Sequence, residues 1–270
     1  MKKIIAMILA AMMVLSMTAA VAEGGKLAEI QAKGKMTICT DAAWAPFEYI
    51  GANGEVTGAD IELAKYIAEQ LGVELEIINV AFDSISTYLI NNDADLSLSA
   101  MTITEERKET LDFSMPYTTA QQYIIVLEDN DKVAVLEDLA GLNIGVHLGT
   151  TGDFLVSDEV MMGCLANTGA NVAQYKFLTD AALALKNGEL GAIVCDTMLA
   201  ENLVAVNGGM KCFPVAYNDG PAELEELGIA MKKGDAEFVA KINEIIAPIV
   251  EDGTMDKWLV EHSELASALN

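Results

Sequence analysis

Residues 58–80 read GADIELAKYIAEQLGVELEIINV, and this stretch decides the fold class. Its first part carries apolar residues at the spacing of one helical face, at Ile61, Ala64, Ala68 and Leu71. Gly72 follows, and glycine is the residue that commonly ends a helix. Val73–Val80 then alternates apolar and polar side chains, as a strand does. The stretch therefore predicts a helix and, directly after it, a strand.

The same succession of strand and helix extends along the chain in both directions. Further strands are predicted at Met36–Thr40, Leu96–Ala100, Gly141–His147, Val172–Phe177 and Ala192–Cys195. Further helices are predicted at Asp83–Asn91, Ala181–Lys186, Asp196–Val206 and Glu237–Val250. This alternation predicts mostly parallel α/β sheets with helices on both faces, and a second set of elements begins at Gly141. Because ligands of such sheets bind beyond the carboxyl ends of the strands, we expect the functional residues to lie there.

Composition narrows the classes of protein to which the chain can belong. Of its 270 residues, 52% are hydrophobic, which excludes an intrinsically disordered chain. Sixteen basic residues against 41 acidic ones give a net charge of −25, which would repel nucleic-acid phosphates and anionic lipid surfaces. The same self-repulsion favours a monomer. Only one of the 16 basic residues is an arginine, Arg107.

The first 22 residues have the pattern of a cleavable secretory signal. Lys2 and Lys3 precede the apolar run Ile4–Leu15, and Ala20-Val21-Ala22 supplies small residues at a cleavage site after Ala22. The run is too short to span a membrane, which needs about 20 residues. We therefore expect a protein exported to the periplasmic or extracellular side of the cytoplasmic membrane.

Four cysteines would then enter an oxidising compartment. Cys39 and Cys195 lie in apolar strand-like runs, where a thiol is usually a small core residue. Cys164 and Cys212 lie in looser, glycine-rich sequence and are the better candidates for a disulfide. Without a C-x-x-C motif, and with His147 and His262 as the only histidines, the sequence indicates no metal site and no cofactor.

Asp41 and Trp44 form the first of four clusters at predicted strand ends. Asp41 follows the strand Met36–Thr40, and Trp44 comes three residues later in a loop that contains Pro46. A carboxylate beside an aromatic face is suited to an amine or amide group. The alternative is an ordinary loop with a packed tryptophan.

Arg107 belongs to the second cluster, Thr102-Ile103-Thr104-Glu105-Glu106-Arg107. Thr104 is predicted to cap a short helix with the two acids in its first turn. Because the chain otherwise uses lysine for positive charge, a guanidinium here indicates bidentate binding of a carboxylate. The alternative is a surface ion pair with Glu105 or Glu106.

The third and fourth clusters follow later strands. Residues 145–152, GVHLGTTG, lead from a strand through glycines to a helix start, where backbone N–H groups are suited to an anion. A carboxylate is favoured over a phosphate, since the Gly-Lys-Ser/Thr ending of a nucleotide loop is missing. Asp196 directly follows the strand Ala192–Cys195 and is either an N-cap or a ligand for an amine; the pattern alone favours the cap.

Taken together, the four clusters complement a zwitterion. Arg107 and the turn around Thr151 would take a carboxylate, and Asp196 would take an ammonium group. Asp41 and Trp44 would then face the ligand side chain. This charge arrangement predicts a binding site for a free amino acid.

Several segments carry a resemblance to a known family. They are Thr40-Asp41, Pro46–Tyr49, Gly58–Ala64, Met101–Lys108, Leu111–Tyr117, Leu139–Gly141, Gly149–Thr151, Asp196 and Asp252–Thr254 with Lys257-Trp258. In this order they resemble the extracytoplasmic solute-binding proteins of ABC-type amino-acid importers, the polar amino-acid family, family 3. The resemblance covers essentially all of the chain after residue 22.

The resemblance also implies roles for individual residues. Arg107 would hold the α-carboxylate of the ligand, helped by Thr102 and Thr151, and Asp196 would hold the α-amine. Trp44 and Phe82 would cover the ligand, and Asp41 would meet its side chain. The carbonyl of Ala100 would be a further contact, although glycine or serine is frequent at this position. His147 lies at a position that varies with side-chain specificity.

The fold implied by the resemblance is two Rossmann-like α/β lobes joined by a two-crossing hinge, as in periplasmic binding proteins of type II. The first lobe would contain residues 23–117 and 222–270, the second residues 123–221, with the hinge near 117–122 and 222–227. Such a protein would capture a free polar or basic L-amino acid and deliver it to an ABC-type membrane permease. The alternative is a secreted enzyme similar to cyclohexadienyl dehydratases, with Glu48 or Asp41 as the general acid.

Overall fold

The computed structural model of the protein describes residues 25–269. The predicted secretory signal, residues 1–22, lies outside the described residues. None of the helices within 25–269 is both long and apolar enough to cross a membrane.

Helices and strands alternate through the described residues. The helices are α1 Gly25–Lys33, α2 Ala59–Leu71, α3 Ile85–Asn91, α4 Glu105–Lys108, α5 Thr151–Met161, α6 Leu178–Lys186, α7 Thr197–Asn207, α8 Ala236–Glu251 and α9 Thr254–Ser267, with 3-10 turns at Phe82–Ser84 and Leu136–Leu139. The strands of the first half are β1 Lys35–Thr40, β2 Ala43–Trp44, β3 Glu48–Ile50, β4 Val56–Thr57, β5 Glu74–Asn79, β6 Leu96–Ser97, β7 Leu111–Phe113, β8 Thr118–Ala120 and β9 Gln122–Leu127. Those of the second half are β10 Asn143–His147, β11 Asn171–Tyr175, β12 Ala192–Asp196, β13 Met210–Pro214, β14 Ala216–Tyr217, β15 Gly220–Pro221, β16 Glu225–Leu227 and β17 Ala230–Lys232.

Two five-stranded sheets have the same architecture. The first has the order β5-β1-β6-β17-β7 and the second the order β11-β10-β12-β9-β13. In each, the first three strands are parallel and the last two run antiparallel to their neighbours. We call the parts built on these sheets the first and the second lobe. The prediction of α/β sheets is confirmed, but β9 and β17 are antiparallel strands that strand–helix alternation did not indicate.

The two lobes are connected by a pair of strands. β8 and β16 lie antiparallel, with Thr118 opposite Leu227 and Ala120 opposite Glu225. Both strands fall inside the segments 117–122 and 222–227, which the resemblance implied as chain crossings. The C-terminal helix α9 contacts α2 and α7, and thus helices of both lobes. The exact lobe boundaries remain a prediction.

The local predictions for the opening stretch are confirmed at both ends of α2. A Cβ atom at Gly58 would overlap the backbone carbonyl of Phe47, so a glycine is required where the chain enters the helix. Gly72 ends the helix in the left-handed conformation, with φ 70°. The predicted strand Leu96–Ala100 is shorter, because Ala100 has φ 45° and leaves the extended conformation.

The two cysteines that were the better candidates for a disulfide are not bonded to each other in the structure. Cys164 and Cys212, as well as Cys39 and Cys195, are free thiols. Cys164 is exposed beyond the end of α5, where its backbone N–H donates to Glu159. Cys212 lies within β13, opposite Ile125 of β9. The glycine-rich sequence therefore precedes a strand at Cys212 and belongs to the turn after α5 at Cys164.

Candidate functional site

The four strand-end clusters meet where the two lobes face each other. Two groups of side chains make up the site. The aromatic cluster consists of Trp44, Phe82 and His147. The hydroxyl–carboxylate network consists of Thr102, Gln122, Thr151, Asp196 and Glu225. Arg107 is close to both groups, because its guanidinium lies 5.5 Å from the ring centroid of Phe82 and interacts electrostatically with Glu225 and Asp196.

The aromatic cluster joins the lobes by ring contacts. Trp44, which β2 places in the first lobe, stacks on His147 at the end of β10 in the second, with ring centroids 5.1 Å apart. The Phe82 ring lies 6.0 Å from the same imidazole. The packed-tryptophan alternative is thus true of Trp44, which is buried, yet its packing partner is a polar ring of the opposite lobe.

Asp41 contacts this cluster at His147 and at the backbone of Phe82. Its Oδ2 atom lies 3.5 Å from Nε2 of His147 and accepts a hydrogen bond of 3.1 Å from the backbone N–H of Phe82. Burial raises the pKa of Asp41 to about 6, and burial lowers the pKa of His147. At pH 7 the contact is therefore one between a mostly ionised carboxylate and a neutral imidazole.

Arg107 is held by backbone carbonyls of both lobes. Its Nη1 atom donates to the carbonyl of Thr102 at 2.8 Å and its Nη2 atom to that of Gly149 at 3.2 Å. Thr104 caps α4 as predicted, accepting from the backbone N–H of Arg107 at 3.1 Å. The surface ion pair is not formed, since Glu105 pairs with Lys108 at 2.8 Å. Burial lowers the pKa of Arg107, while Glu225 and Asp196 act in the opposite direction.

Some backbone N–H groups of the glycine-containing turn before α5 already donate to side chains of the protein. Gly149 adopts φ 81°, and Thr150 caps the helix by accepting from the N–H of Asp153. The buried carboxylate of Asp153 in turn accepts from the N–H of Gly149 at 3.0 Å. The N–H groups of Gly149 and Asp153 are therefore taken by side chains of the protein. Thr151, as the first residue of the helix, keeps an N–H without an intrahelical partner.

Asp196 corrects the prediction made from its own sequence segment. It occupies the N-cap position of α7, but its side chain makes no capping hydrogen bond. Instead Oδ1 accepts from Nε2 of Gln122. Burial, followed by the negative charge of Glu225, raises the pKa of Asp196 to about 7. The geometry favours the interpretation of Asp196 as a ligand for an amine.

Two members of the network were missed by the sequence analysis. Glu225 accepts from the hydroxyls of Thr102 and Thr151, each at 2.8 Å. Nε2 of Gln122 donates to Thr151 at 3.2 Å and approaches the two carboxylate oxygens of Glu225 at 3.3 and 3.4 Å. Both residues lie on strands at the chain crossings. The only signal in the sequence is the acidic run Glu223-Leu224-Glu225-Glu226, where surface residues would be the ordinary interpretation.

A second layer of buried acids supports the first lobe's part of the site. Ser99 accepts from the backbone N–H of Asp41 at 3.0 Å and donates to Glu48 at 2.8 Å. Asp60 accepts from the backbone N–H of Ala100 and from the hydroxyl of Tyr117, both at 2.9 Å. Ala100 itself has the left-handed conformation, with φ 45°. Glu48 is fully buried, and burial raises its pKa.

Some buried polar atoms of the site have no hydrogen-bond partner. Among the residues that the structure describes, Trp44 Nε1, Gln122 Oε1 and His147 Nδ1 are buried and have no hydrogen-bond partner. A cleft of about 610 Å³ borders the hydroxyl–carboxylate network, and one of about 330 Å³ borders Arg107 and Phe82. Since buried polar groups normally have partners, these atoms are candidates for contacts with a polar ligand.

The side chains of the site are better suited to charged organic groups than to metal ions. Across residues 25–269, no three side chains of His, Cys, Asp or Glu are grouped in a way that would hold a metal ion. One guanidinium, an aromatic cluster and three carboxylates instead provide complementary positions for an anion, an apolar stem and a cation.

Known proteins with a similar sequence and fold bind amino acids. A probable histidine-binding protein of Neisseria gonorrhoeae is 34% identical over 221 residues, which is 82% of this chain and 80% of that protein. The structure of AbpA of Streptococcus pneumoniae, an amino acid ABC transporter substrate-binding protein solved bound to L-arginine, is similar with a TM-score of 0.81. It is 28% identical and the match covers 88% of this chain and 98% of that one.

A third similar structure is AncCDT-1, an ancestral amino acid-binding protein and a precursor of cyclohexadienyl dehydratase. Its TM-score is 0.77 at 33% identity, over 88% of this chain and 99% of that one. The model of the bacterial extracellular solute-binding proteins, family 3, matches residues 36–262. The family resemblance and the two-lobe α/β fold that it implied are thus confirmed, and the chain belongs to the bacterial extracellular solute-binding proteins, family 3.

Proposed function

We propose that the protein binds a free L-amino acid between its two lobes, L-arginine by preference, and delivers it to the permease of an ABC importer. The observation that carries this proposal is the position of Arg107 opposite two carboxylates, Asp196 and Glu225. A zwitterion placed there would have its carboxylate near the guanidinium and its ammonium near the acids. Family membership and the amino-acid-binding relatives support the same function.

The aromatic cluster supports a cationic side chain. A planar guanidinium can stack on the Trp44 ring and pair with the carboxylate of Asp41. The unpartnered Nδ1 of His147 supplies a further polar position. In addition, the carboxylates Asp41, Asp196 and Glu225 outnumber Arg107, so a ligand with a net positive charge balances the site better than a neutral one. Glutamine is the next candidate, followed by histidine and cystine.

Titration calorimetry with the twenty L-amino acids and L-cystine tests this proposal. We expect a saturating heat with L-arginine and weaker binding of L-glutamine. If another amino acid binds more tightly, the ligand assignment is wrong while the general function stands. If none of them binds, the proposed function is wrong.

Export, the permease partner and the monomeric state belong to the same proposal. The signal pattern of residues 1–22 and the extracellular family support export, and the net charge of −25 supports a monomer. Intact-mass analysis of the exported protein should give a chain that begins at Glu23, and light scattering should give the mass of one chain. Retention of residues 1–22, or a stable dimer, would contradict these points.

An enzymatic activity is the second candidate, favoured by the similarity to a precursor of cyclohexadienyl dehydratase. Of the two acids, Glu48 is fully buried and accepts from Ser99 within the supporting layer. Asp41, with a pKa raised to about 6, is the better general acid. Incubation with a cyclohexadienyl acid tests this: sustained product formation that Asp41→Asn abolishes would establish an enzyme.

A further inference from the structure

Glu225 is the residue on which the hydroxyl–carboxylate network converges. Its Oε2 atom accepts the hydroxyl protons of Thr102 from the first lobe and Thr151 from the second, both at 2.8 Å. It lies on β16, and Nε2 of Gln122, on β9, donates to Asp196 and approaches the two carboxylate oxygens of Glu225 at 3.3 and 3.4 Å. A single carboxylate at the chain crossing thus contacts both halves of the site.

The hydrogen bonds define what the two hydroxyls can offer to a ligand. A threonine hydroxyl has one proton, and both protons are directed to Glu225. The oxygens of Thr102 and Thr151 can then only accept, and that of Thr151 already accepts from Nε2 of Gln122 at 3.2 Å. A ligand carboxylate also only accepts and gains nothing from them, whereas an ammonium group has three N–H donors.

Gln122 extends this set of acceptors. Its Nε2 atom faces two carboxylates, which fixes the orientation of the amide, because the reverse orientation would direct Oε1 at negative charges. Oε1 is then a buried acceptor without a partner in the described residues. Asp196, the two threonine oxygens and this amide oxygen together form a group of acceptors suited to a cation.

A different interpretation is that Glu225 occupies the place of the ligand carboxylate and competes with it. The contacts of Arg107 argue against this. Both terminal nitrogens of its guanidinium donate to backbone carbonyls, and within the described residues no hydrogen bond or ion pair joins Arg107 to Glu225. The carboxylate of Glu225 is therefore not bound in the fork that would hold the ligand carboxylate.

We propose that Glu225 is a positioning residue for the α-ammonium group of the ligand. It accepts hydrogen bonds from the hydroxyls of Thr102 and Thr151, so that both hydroxyl oxygens are oriented to accept from the ammonium. It also adds a second negative charge beside Asp196. The inference rests on the proposed function. It assigns the two threonine hydroxyls to the ammonium end of the ligand and leaves only their backbone N–H groups for the carboxylate end.

The test compares L-arginine with two analogues that each lack one charged group. Agmatine lacks the carboxylate, and 5-guanidinopentanoate lacks the α-amino group. Affinities are measured by calorimetry for the wild type, Glu225→Ala and Glu225→Gln. Glu226→Gln is the matched control, because this exposed neighbour on β16 has the same charge and its side chain makes no hydrogen bond to the network. Circular dichroism checks that each variant is folded.

We expect Glu225→Ala to lower the affinity for L-arginine and agmatine by about 10- to 100-fold, because charge-assisted hydrogen bonds are lost. The affinity for 5-guanidinopentanoate should not change. Glu225→Gln should give a smaller loss, since its amide oxygen still accepts from the hydroxyls without the charge. Glu226→Gln should resemble the wild type.

Two outcomes would overturn the inference while the proposed function stands. Tighter binding of L-arginine and 5-guanidinopentanoate by Glu225→Ala would show that Glu225 competes with the ligand carboxylate. Equal losses for all three ligands, or no loss, would show a structural role. If the wild type binds neither L-arginine nor any other amino acid, the proposed function itself fails and the inference falls with it.

Discussion

The hydroxyl–carboxylate network and the aromatic cluster are built on different principles, although they share one site. In the network, each of the two threonine hydroxyls and the amide of Gln122 is hydrogen-bonded to a carboxylate. In the aromatic cluster, three rings are in contact, and the carboxylate of Asp41 approaches His147 at 3.5 Å. Hydrogen bonds have narrow distances and angles, whereas ring packing accepts many shapes.

This difference indicates which part of a ligand each group recognises. The α-carboxylate and α-ammonium groups are common to all amino acids and need fixed geometry, which Arg107 and the network provide. Side chains differ, and the aromatic cluster is placed to contact them, although Trp44 also interacts with Asp196 of the network. We therefore expect substitutions at the charged end to abolish binding of every amino acid, and substitutions in the aromatic cluster to change which one is preferred.

The largest effect is expected for Arg107→Ala. Without the guanidinium, the ligand carboxylate is buried unpaired, which costs about 2–5 kcal/mol, or roughly 30- to several-thousand-fold in affinity. Arg107→Lys should restore little, because an ammonium cannot form two parallel hydrogen bonds. Calorimetry with L-arginine measures both variants. Lys108→Ala, which removes the adjacent exposed cation, is the control and should bind normally; normal binding by a folded Arg107→Ala would contradict the assignment.

The second prediction concerns Asp196 and pH. With its pKa raised to about 7 by burial and by Glu225, Asp196 is half protonated near neutral pH, and only the ionised form attracts an ammonium. Affinity should therefore fall as the pH is lowered from 8 to 5, by up to about tenfold per unit below 7. Asp196→Asn should bind about 10- to 100-fold more weakly at pH 8 and show a flatter profile.

In the Asp196→Asn variant, Asp41 still titrates with a pKa of about 6 and accounts for the pH dependence that remains. Glu225 and Arg107 are the charged groups that face the altered side chain. Calorimetric titrations at several pH values supply the profile. An unchanged, steep pH dependence in Asp196→Asn would show that another group binds the ammonium.

A smaller effect on affinity, but a change in preference, is expected for His147→Ala. This variant lacks the ring that stacks on Trp44 and contacts Asp41. The affinity for L-arginine should therefore fall by about 3- to 10-fold, and the ratio of the affinities for L-arginine and L-glutamine should change. His262→Ala is the matched control. His262 is also buried, but it forms a hydrogen bond of 3.0 Å with Tyr49 outside the site. Its loss should therefore lower the midpoint of thermal unfolding and leave the affinity unchanged.

The smallest change is expected in overall dimensions. If β8 and β16 act as a hinge, saturating L-arginine should reduce the radius of gyration measured by small-angle scattering. The contacts of Arg107 with Gly149 and of Trp44 with His147 hold the lobes together in the structure, and the ligand should favour such a closed state. The helix α9, which touches both lobes, limits the amplitude of opening. An unchanged radius despite binding would contradict hinge closure.

Much of the fold and part of the site could be predicted from local sequence. The bounds of α2 follow from apolar spacing and Gly72, and the cap of α4 follows from Thr104, since these features depend on neighbours only a few residues away. Arg107 stood out because it is the single arginine of the chain. The resemblance to the family supplied Phe82 and the two crossings.

Tertiary structure decided the remaining features, because they depend on residues far apart in the chain. Gln122 and Glu225 enter the network from strands 103 positions apart that meet at the lobe crossing. Asp196 occupies a capping position, yet a distant amide competes for its carboxylate. In the same way, the carboxylate of Asp153 accepts from the N–H of Gly149, which the local pattern predicted to be available for a ligand. A sequence pattern can place a carboxylate at a strand end, but only the folded chain determines which donors reach it.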